Sequence, residues 1–204
     1  VPDEGYLKKC KELCEKHGVL FIADEVQTGI GRTGKLLACD HENVKPDVLV
    51  LGKALSGGVL PVSAVLADND IMKVFTPGTH GSTFGGNPLA NAVAMTSLEV
   101  IQDEDLAKNA DKLGNIFRSE LSTLKEESDL VENVRGKGLL NAIVLKETDK
   151  NKEPAWDVCL KLIEEGLLAK PAHGNKIRLS PPLIMNEEQL MECVGIIKKV
   201  LGKG

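Results

Sequence analysis

An acid and a lysine each end an apolar run in the first third of the chain. Asp24 follows the run at residues 19–23 (VLFIA), and Lys53 follows the run at 48–51 (VLVL) after one glycine, Gly52. Short continuous apolar runs between turn signals suit the strands of a buried parallel sheet. In open α/β sheets, ligands bind beyond the carboxyl ends of the strands, so Asp24 and Lys53 would reach one shared edge. A carboxylate and an ammonium placed there can form a plain salt bridge. They also meet two needs of pyridoxal phosphate (PLP). That cofactor requires an amine to condense with its aldehyde and an acid to keep its ring nitrogen protonated, so that the ring draws electrons. Such a lysine must be able to lose its proton, which partial burial encourages. On these residues alone both readings stand.

Two further positions carry ligand chemistry. Residues 80–88 (HGSTFGGNP) place the hydroxyls of Ser82 and Thr83 and several glycine amides ahead of a helix expected to begin near Leu89. That composition suits a phosphate, through hydroxyl donors, close backbone approach and the helix dipole. It also reads as a turn with Asn87 as N-cap and Pro88 at the first helical position, and the two readings are compatible. Arg178, in KIRLSPP at 176–182, falls on a short strand before a Pro-Pro turn. Its planar fork suits a carboxylate, although a surface ion pair is the commoner fate of an arginine.

Other patterns are decoys. Residues 29–34 (GIGRTG) match G-x-G-x-x-G, and 29–35 match G-x-x-x-x-G-K. A nucleotide P-loop needs Ser or Thr next, and residue 36 is Leu. A dinucleotide fingerprint needs a strand running straight into the glycines and an acid ending the next strand. Here residues 24–28 intervene and the next strand ends in Lys53, so a flexible surface loop is expected. His17, His41, His80 and His173 lack metal-ligand spacing, and the five cysteines include no C-x-x-C. Cys10 and Cys14, one helical turn apart, read as small apolar residues in a reducing compartment. No metal site is expected.

The elements that must carry these groups follow from periodicity. A helix is predicted over 6–17, ended by Gly18, with strands at 19–23, 48–51 and 62–67 separated by Gly-rich loops. Helices follow at 89–101 and 106–124, then a strand at 139–145 and a helix at 156–165 closed by Gly166. Short strands at 167–169 and 176–179 precede a final helix at 187–201. Residues 1–100 read as α/β and residues 101–204 as a separate α+β unit. The 204 residues suffice to bury roughly 70% of the unfolded surface. With 25 Lys and Arg against 30 Asp and Glu and 3% aromatics, the chain lacks both the basic surface and the stacking platforms of a nucleic-acid binder. No apolar run approaches the ~20 residues of a membrane-spanning helix.

At this point several segments carry one resemblance. Residues 23–29 (ADEVQTG) with Gly31-Arg32-Thr33-Gly34, residues 51–58 (LGKALSGG) and residues 80–88 resemble, in order, the ring-contact, lysine and phosphate segments of the class III, fold type I PLP-dependent aminotransferases. Within that class the likeness is strongest to the ornithine-specific enzymes. It is carried by residues 134–142 (VRGKGLLNA), 166–171 (GLLAKP) with His173-Gly174, and Ile177-Arg178. The resemblance implies the carboxy-terminal part of a fold type I large domain (1–100) followed by a small α+β domain (101–204). It implies PLP as cofactor, bonded to Lys53, which then moves the substrate proton. Asp24 would pair with the ring nitrogen and Gln27 with the ring hydroxyl oxygen. Ser82 and Thr83 would reach the phosphate held by the other subunit of a homodimer, and Arg178 would hold a substrate carboxylate. The implied reaction moves the terminal amino group of L-ornithine to 2-oxoglutarate, giving glutamate semialdehyde and glutamate.

Three other readings stay open: an acetylornithine or 4-aminobutyrate aminotransferase, a non-catalytic dimerisation or interaction fragment, and a nucleotide-binding module resting on residues 29–35. The resemblance implies the cytoplasm or the mitochondrial matrix. The chain opens Val1-Pro2-Asp3 and reads as part of something longer, so it is expected to be weakly active or inactive alone. Its strands near Val19 and Val48 are expected to need further sheet.

Overall fold

A computed structural model describes residues 1–149 and 151–202. The chain divides into two compact units, residues 2–107 and residues 108 onward. In the first unit, helix α1 (Tyr6–Lys16) ends where Gly18 turns the chain at φ +64°. Lys11 Nζ donates to both oxygens of Asp47 at 2.8 Å, and Asp47 Oδ2 accepts the Phe21 N–H at 2.7 Å. This cluster fixes α1 to the segments leading into strands β1 (Ile22–Asp24) and β2 (Val48–Leu51). The ammonium and the Phe21 N–H together hold the Asp47 carboxyl below its ordinary range.

β1 and β2 run parallel, with Ile22 opposite Val48 and Asp24 opposite Val50. β3 (Ala64–Ala67) closes the three-stranded sheet antiparallel to β2. The first apolar run pairs only from Ile22. Its start is held to the end of α1, because the Val19 N–H bonds the Cys14 carbonyl at 3.0 Å. Val19, Leu20 and Ile22 are more than half exposed, whereas Ala23, Val48 and Leu51 are buried. Helix α2 (Asn69–Met72) is a single turn. Helix α3 (Pro88–Asp103) starts as its sequence dictates, with Pro88 at its first position and the Asn87 side chain accepting the Ala90 N–H at 2.9 Å.

The second unit has its own core. Helices α4 (Leu106–Leu121), α5 (Leu124–Glu127), α6 (Pro154–Glu164) and α7 (Glu187–Leu201) accompany strands β4 (Val131–Lys137), β5 (Leu140–Leu145), β6 (Lys170–Ala172) and β7 (Lys176–Leu179). The sheet order is β4-β5-β7-β6, antiparallel throughout. Leu113, Leu121, Ile143, Leu162, Ile177 and Ile197 share one buried cluster. The helix expected over 106–124 breaks after Leu121, where the Ser122 hydroxyl turns back onto the Ser119 carbonyl at 2.6 Å. β4 has no apolar run to announce it. The strand expected at 167–169 lies three residues later, with Leu168 left 81% exposed. No helix among the described residues is long and apolar enough to cross a membrane.

Candidate active-site residues

The parallel pair β1–β2 delivers Asp24 and Lys53 to one sheet edge. Asp24 is the last residue of β1 and stands opposite Val50, while Lys53 lies three residues beyond Val50. The ladder continues one step further, since the Glu25 N–H donates to the Val50 carbonyl at 2.9 Å. Asp24 Oδ1 accepts the Val26 N–H at 3.0 Å, which fixes the carboxylate against its own turn. Lys53 opens a short 3-10 helix (Lys53–Ser56) with its backbone at φ +45°, a left-handed conformation that costs a side-chain-bearing residue energy. The residue is exposed.

Gln27 sits in the turn that follows Asp24. The turn closes tightly, with the Gly29 N–H on the Glu25 carbonyl at 2.9 Å. A Cβ at Gly29 would stand 2.9 Å from that oxygen, so only glycine fits. The stretch after it is not the loose surface loop expected of residues 29–35. Ile30 is 2% exposed, Thr33 is buried, and Thr33 contacts His41 Nε2 through its carbonyl (3.0 Å) and hydroxyl (3.3 Å). A glycine-rich composition here serves close packing, with Gly31 and Gly34 at positive φ.

Ser82 and Thr83 lie in the same unit, on an exposed stretch ahead of α3. Ser82 Oγ accepts the Gly85 N–H at 3.0 Å, and the Asn87 amide donates to the Phe84 carbonyl at 2.8 Å. These bonds shape an exposed turn that carries both hydroxyl residues just ahead of the N-terminus of α3.

Arg178 belongs to the second unit. It lies on the inner strand β7 with Ala142 of β5 opposite on one side and Lys170 of β6 opposite on the other. Its guanidinium Nε is buried. Arg178 and Lys170 line a cleft of about 500 Å³ whose walls include Phe117, Leu167, Met185 and Leu190. The planar guanidinium of Arg178 suits a carboxylate.

The sequence reading passed over Glu25. Its side chain is 3% exposed, and its carboxylate accepts the Cys39 N–H at 2.8 Å together with the Thr28 hydroxyl. It thereby ties the turn bearing Gln27 to the 3-10 helix Ala38–His41. Alternation along β1 was the available signal, because it turns Glu25 inward wherever Asp24 points out. Cys39 beside it is buried, and desolvation together with the Glu25 charge pushes its thiol up to about 12. The thiol is therefore inert near neutrality. All five cysteines are free thiols, and no group of His, Cys, Asp and Glu among the described residues could hold a metal ion.

Comparison with known proteins bears on what such a set does. The mitochondrial ornithine aminotransferase of Drosophila melanogaster is 60% identical over 201 residues, which is 98% of this chain and 45% of that protein. The crystal structure of acetylornithine aminotransferase from Elizabethkingia anophelis matches with a TM-score of 0.94 at 66% identity, covering 98% of this chain and 52% of that one. An ornithine delta-aminotransferase structure from Plasmodium falciparum matches with a TM-score of 0.93 at 52% identity, covering 98% and 52%. The chain spans about half the length of the curated relatives it matches. The fold is therefore mixed α/β and a part of the fold type I architecture. The family model for class III aminotransferases matches residues 1–201, and the chain belongs to that family.

Proposed function

We propose that this chain carries the lysine, the ring acid and a carboxylate clamp of a PLP-dependent aminotransferase that moves the terminal amino group of L-ornithine to 2-oxoglutarate. The products are glutamate semialdehyde and glutamate. The observation that supports it most is the delivery of Asp24 and Lys53 to one edge of a parallel strand pair. The residues fit PLP in kind: an amine for its aldehyde, an acid for its ring nitrogen, and two exposed hydroxyl residues for its phosphate. When bound, PLP supplies an electron-withdrawing ring that makes a carbon-bound proton removable.

Each residue then has a definite task. Lys53 holds PLP through Nζ and afterwards carries the proton at that atom. Asp24 keeps Oδ1 on the Val26 N–H, and its other carboxylate oxygen holds the proton on the ring nitrogen. Gln27 bonds the ring hydroxyl oxygen. Ser82 and Thr83 donate to the phosphate held by the other subunit of a homodimer. Arg178 receives a substrate carboxylate. In this reading, residues 1–100 belong to the large PLP-binding domain and residues 101–204 form the small carboxy-terminal domain.

A second reading, acetylornithine as the amino donor, is favoured by one observation, the 66% identity to the Elizabethkingia anophelis protein. Turnover of ornithine, acetylornithine and 4-aminobutyrate by the complete protein separates the readings. The proposal expects kcat/KM to be highest for ornithine, and a clear preference for either other donor overturns it.

A further inference from the structure

The four-stranded sheet of the second unit turns one face into its core. Asn141, Ile143 and Leu145 of β5 and Ile177 and Leu179 of β7 turn into the core. Alternation puts Asn133, Arg135 and Lys137 of β4, Leu140, Ala142 and Val144 of β5, Lys170 and Ala172 of β6, and Lys176 and Arg178 of β7 on the other face. Five of those ten positions are cationic, four are apolar, and none is Asp or Glu. The pairing registers join four of them into one row that crosses every strand: Arg135, Ala142, Arg178, Lys170.

Like charges lie directly opposite on neighbouring strands at Lys170 and Arg178, which concentrates positive charge at that pair. Adjacent strands stand about 4.8 Å apart, which brings both heads within reach of one carboxylate group. On the other side Ala142 offers no side chain beyond Cβ, and the long side chains of Arg135 and Arg178 can converge over it. Arg135 and Lys170 are exposed, whereas Arg178 is half-buried, so the row presents one sheltered cation between two that reach solvent.

We propose that Arg135 and Lys170 are specificity-determining residues that draw the doubly anionic oxo acid to Arg178. This deepens the functional reading above and rests on its assignment of Arg178 to a substrate carboxylate. At neutral pH the amino donor ornithine carries a net positive charge and 2-oxoglutarate carries two negative charges. A basic row therefore favours the second half-reaction's substrate over the first, chiefly through encounter rate.

The test uses the complete protein with Arg135→Gln and Lys170→Gln combined, and the charge-keeping pair Arg135→Lys and Lys170→Arg. In low salt the double Gln variant should lose about tenfold in kcat/KM for 2-oxoglutarate, with kcat little changed and a flatter dependence on ionic strength. The kcat/KM for ornithine should not fall, and the charge-keeping variant should stay near wild type. Glutarate, which has two carboxylates and no reactive carbonyl, gives a readout independent of turnover, and its calorimetric affinity should weaken by a similar factor. Equal losses with both substrates, or glutarate binding indifferent to the row, overturn the inference. If wild type fails to turn over ornithine yet glutarate binding still depends on the row, the donor assignment fails and the row stands.

Discussion

Replacing Glu25 with alanine should loosen the turn that carries Gln27 without touching the surface. The carboxylate holds two donors, the Cys39 N–H at 2.8 Å and the Thr28 hydroxyl. The hydroxyl can rotate to another acceptor, but the buried N–H cannot. Leaving it unsatisfied costs about 1–3 kcal/mol. The small cavity adds about 1 kcal/mol, and relief from burying a carboxylate offsets part of the total. A net loss of about 2–3 kcal/mol corresponds to local opening about 30- to 150-fold more frequent. Cys39 reports it directly, since the thiol is 2% exposed and lies against Glu25. Alkylation of the native protein, followed peptide by peptide by mass spectrometry, should show Cys39 labelling faster by that factor in Glu25→Ala. Cys159, buried in the other unit, should label as in wild type. Glu25→Gln keeps an oxygen for the Cys39 N–H and should change labelling by less than tenfold. Labelling of Cys39 within threefold of wild type in Glu25→Ala would refute the positioning role.

Three further outcomes follow from the geometry. A Cβ at Gly114 would stand 1.9 Å from the Gly138 carbonyl oxygen and 2.4 Å from its carbon, so Gly114→Ala must part α4 from the β4–β5 turn. It should destabilise the second unit by about 3 kcal/mol, seen as a lower denaturant midpoint. Because Lys53 holds φ +45°, Lys53→Gly should be more stable than Lys53→Ala by about 1 kcal/mol, and equal midpoints would remove the strain. Cys39 keeps its proton to about pH 12 when folded but loses it near 9.0 when unfolded. Its contribution is whole below pH 9 and is lost as pH rises toward 12, so alkaline destabilisation should be shallower in Cys39→Ala.

The sequence exposed the parts of the fold that advertise themselves by local pattern. β2, β7 and α7 lie where their apolar spacing puts them, and Asn87 caps α3 as its type and position suggest. β4 was invisible because its residues, VENVRGK, are mostly polar, with a bulge between Val131 and Asn133. It is a strand because β5 offers it a ladder, which is tertiary information. Residues 29–34 misled in the opposite sense. Glycines usually announce a mobile loop, but here Gly29 permits contact with the Glu25 carbonyl and buries Ile30. The chemistry at the strand ends was legible because Asp24 and Lys53 are polar residues ending apolar runs. Glu25 was not, since a buried carboxylate is defined by partners distant in sequence, here Cys39.

The most direct test follows the nitrogen. With the complete protein, PLP and 2-oxoglutarate, ornithine labelled with ¹⁵N at its terminal amino group should pass the label to glutamate, and ornithine labelled at the α-amino group should not. Lys53→Ala should abolish the transfer. Label arriving from the α position, or transfer that survives loss of Lys53, would contradict the account.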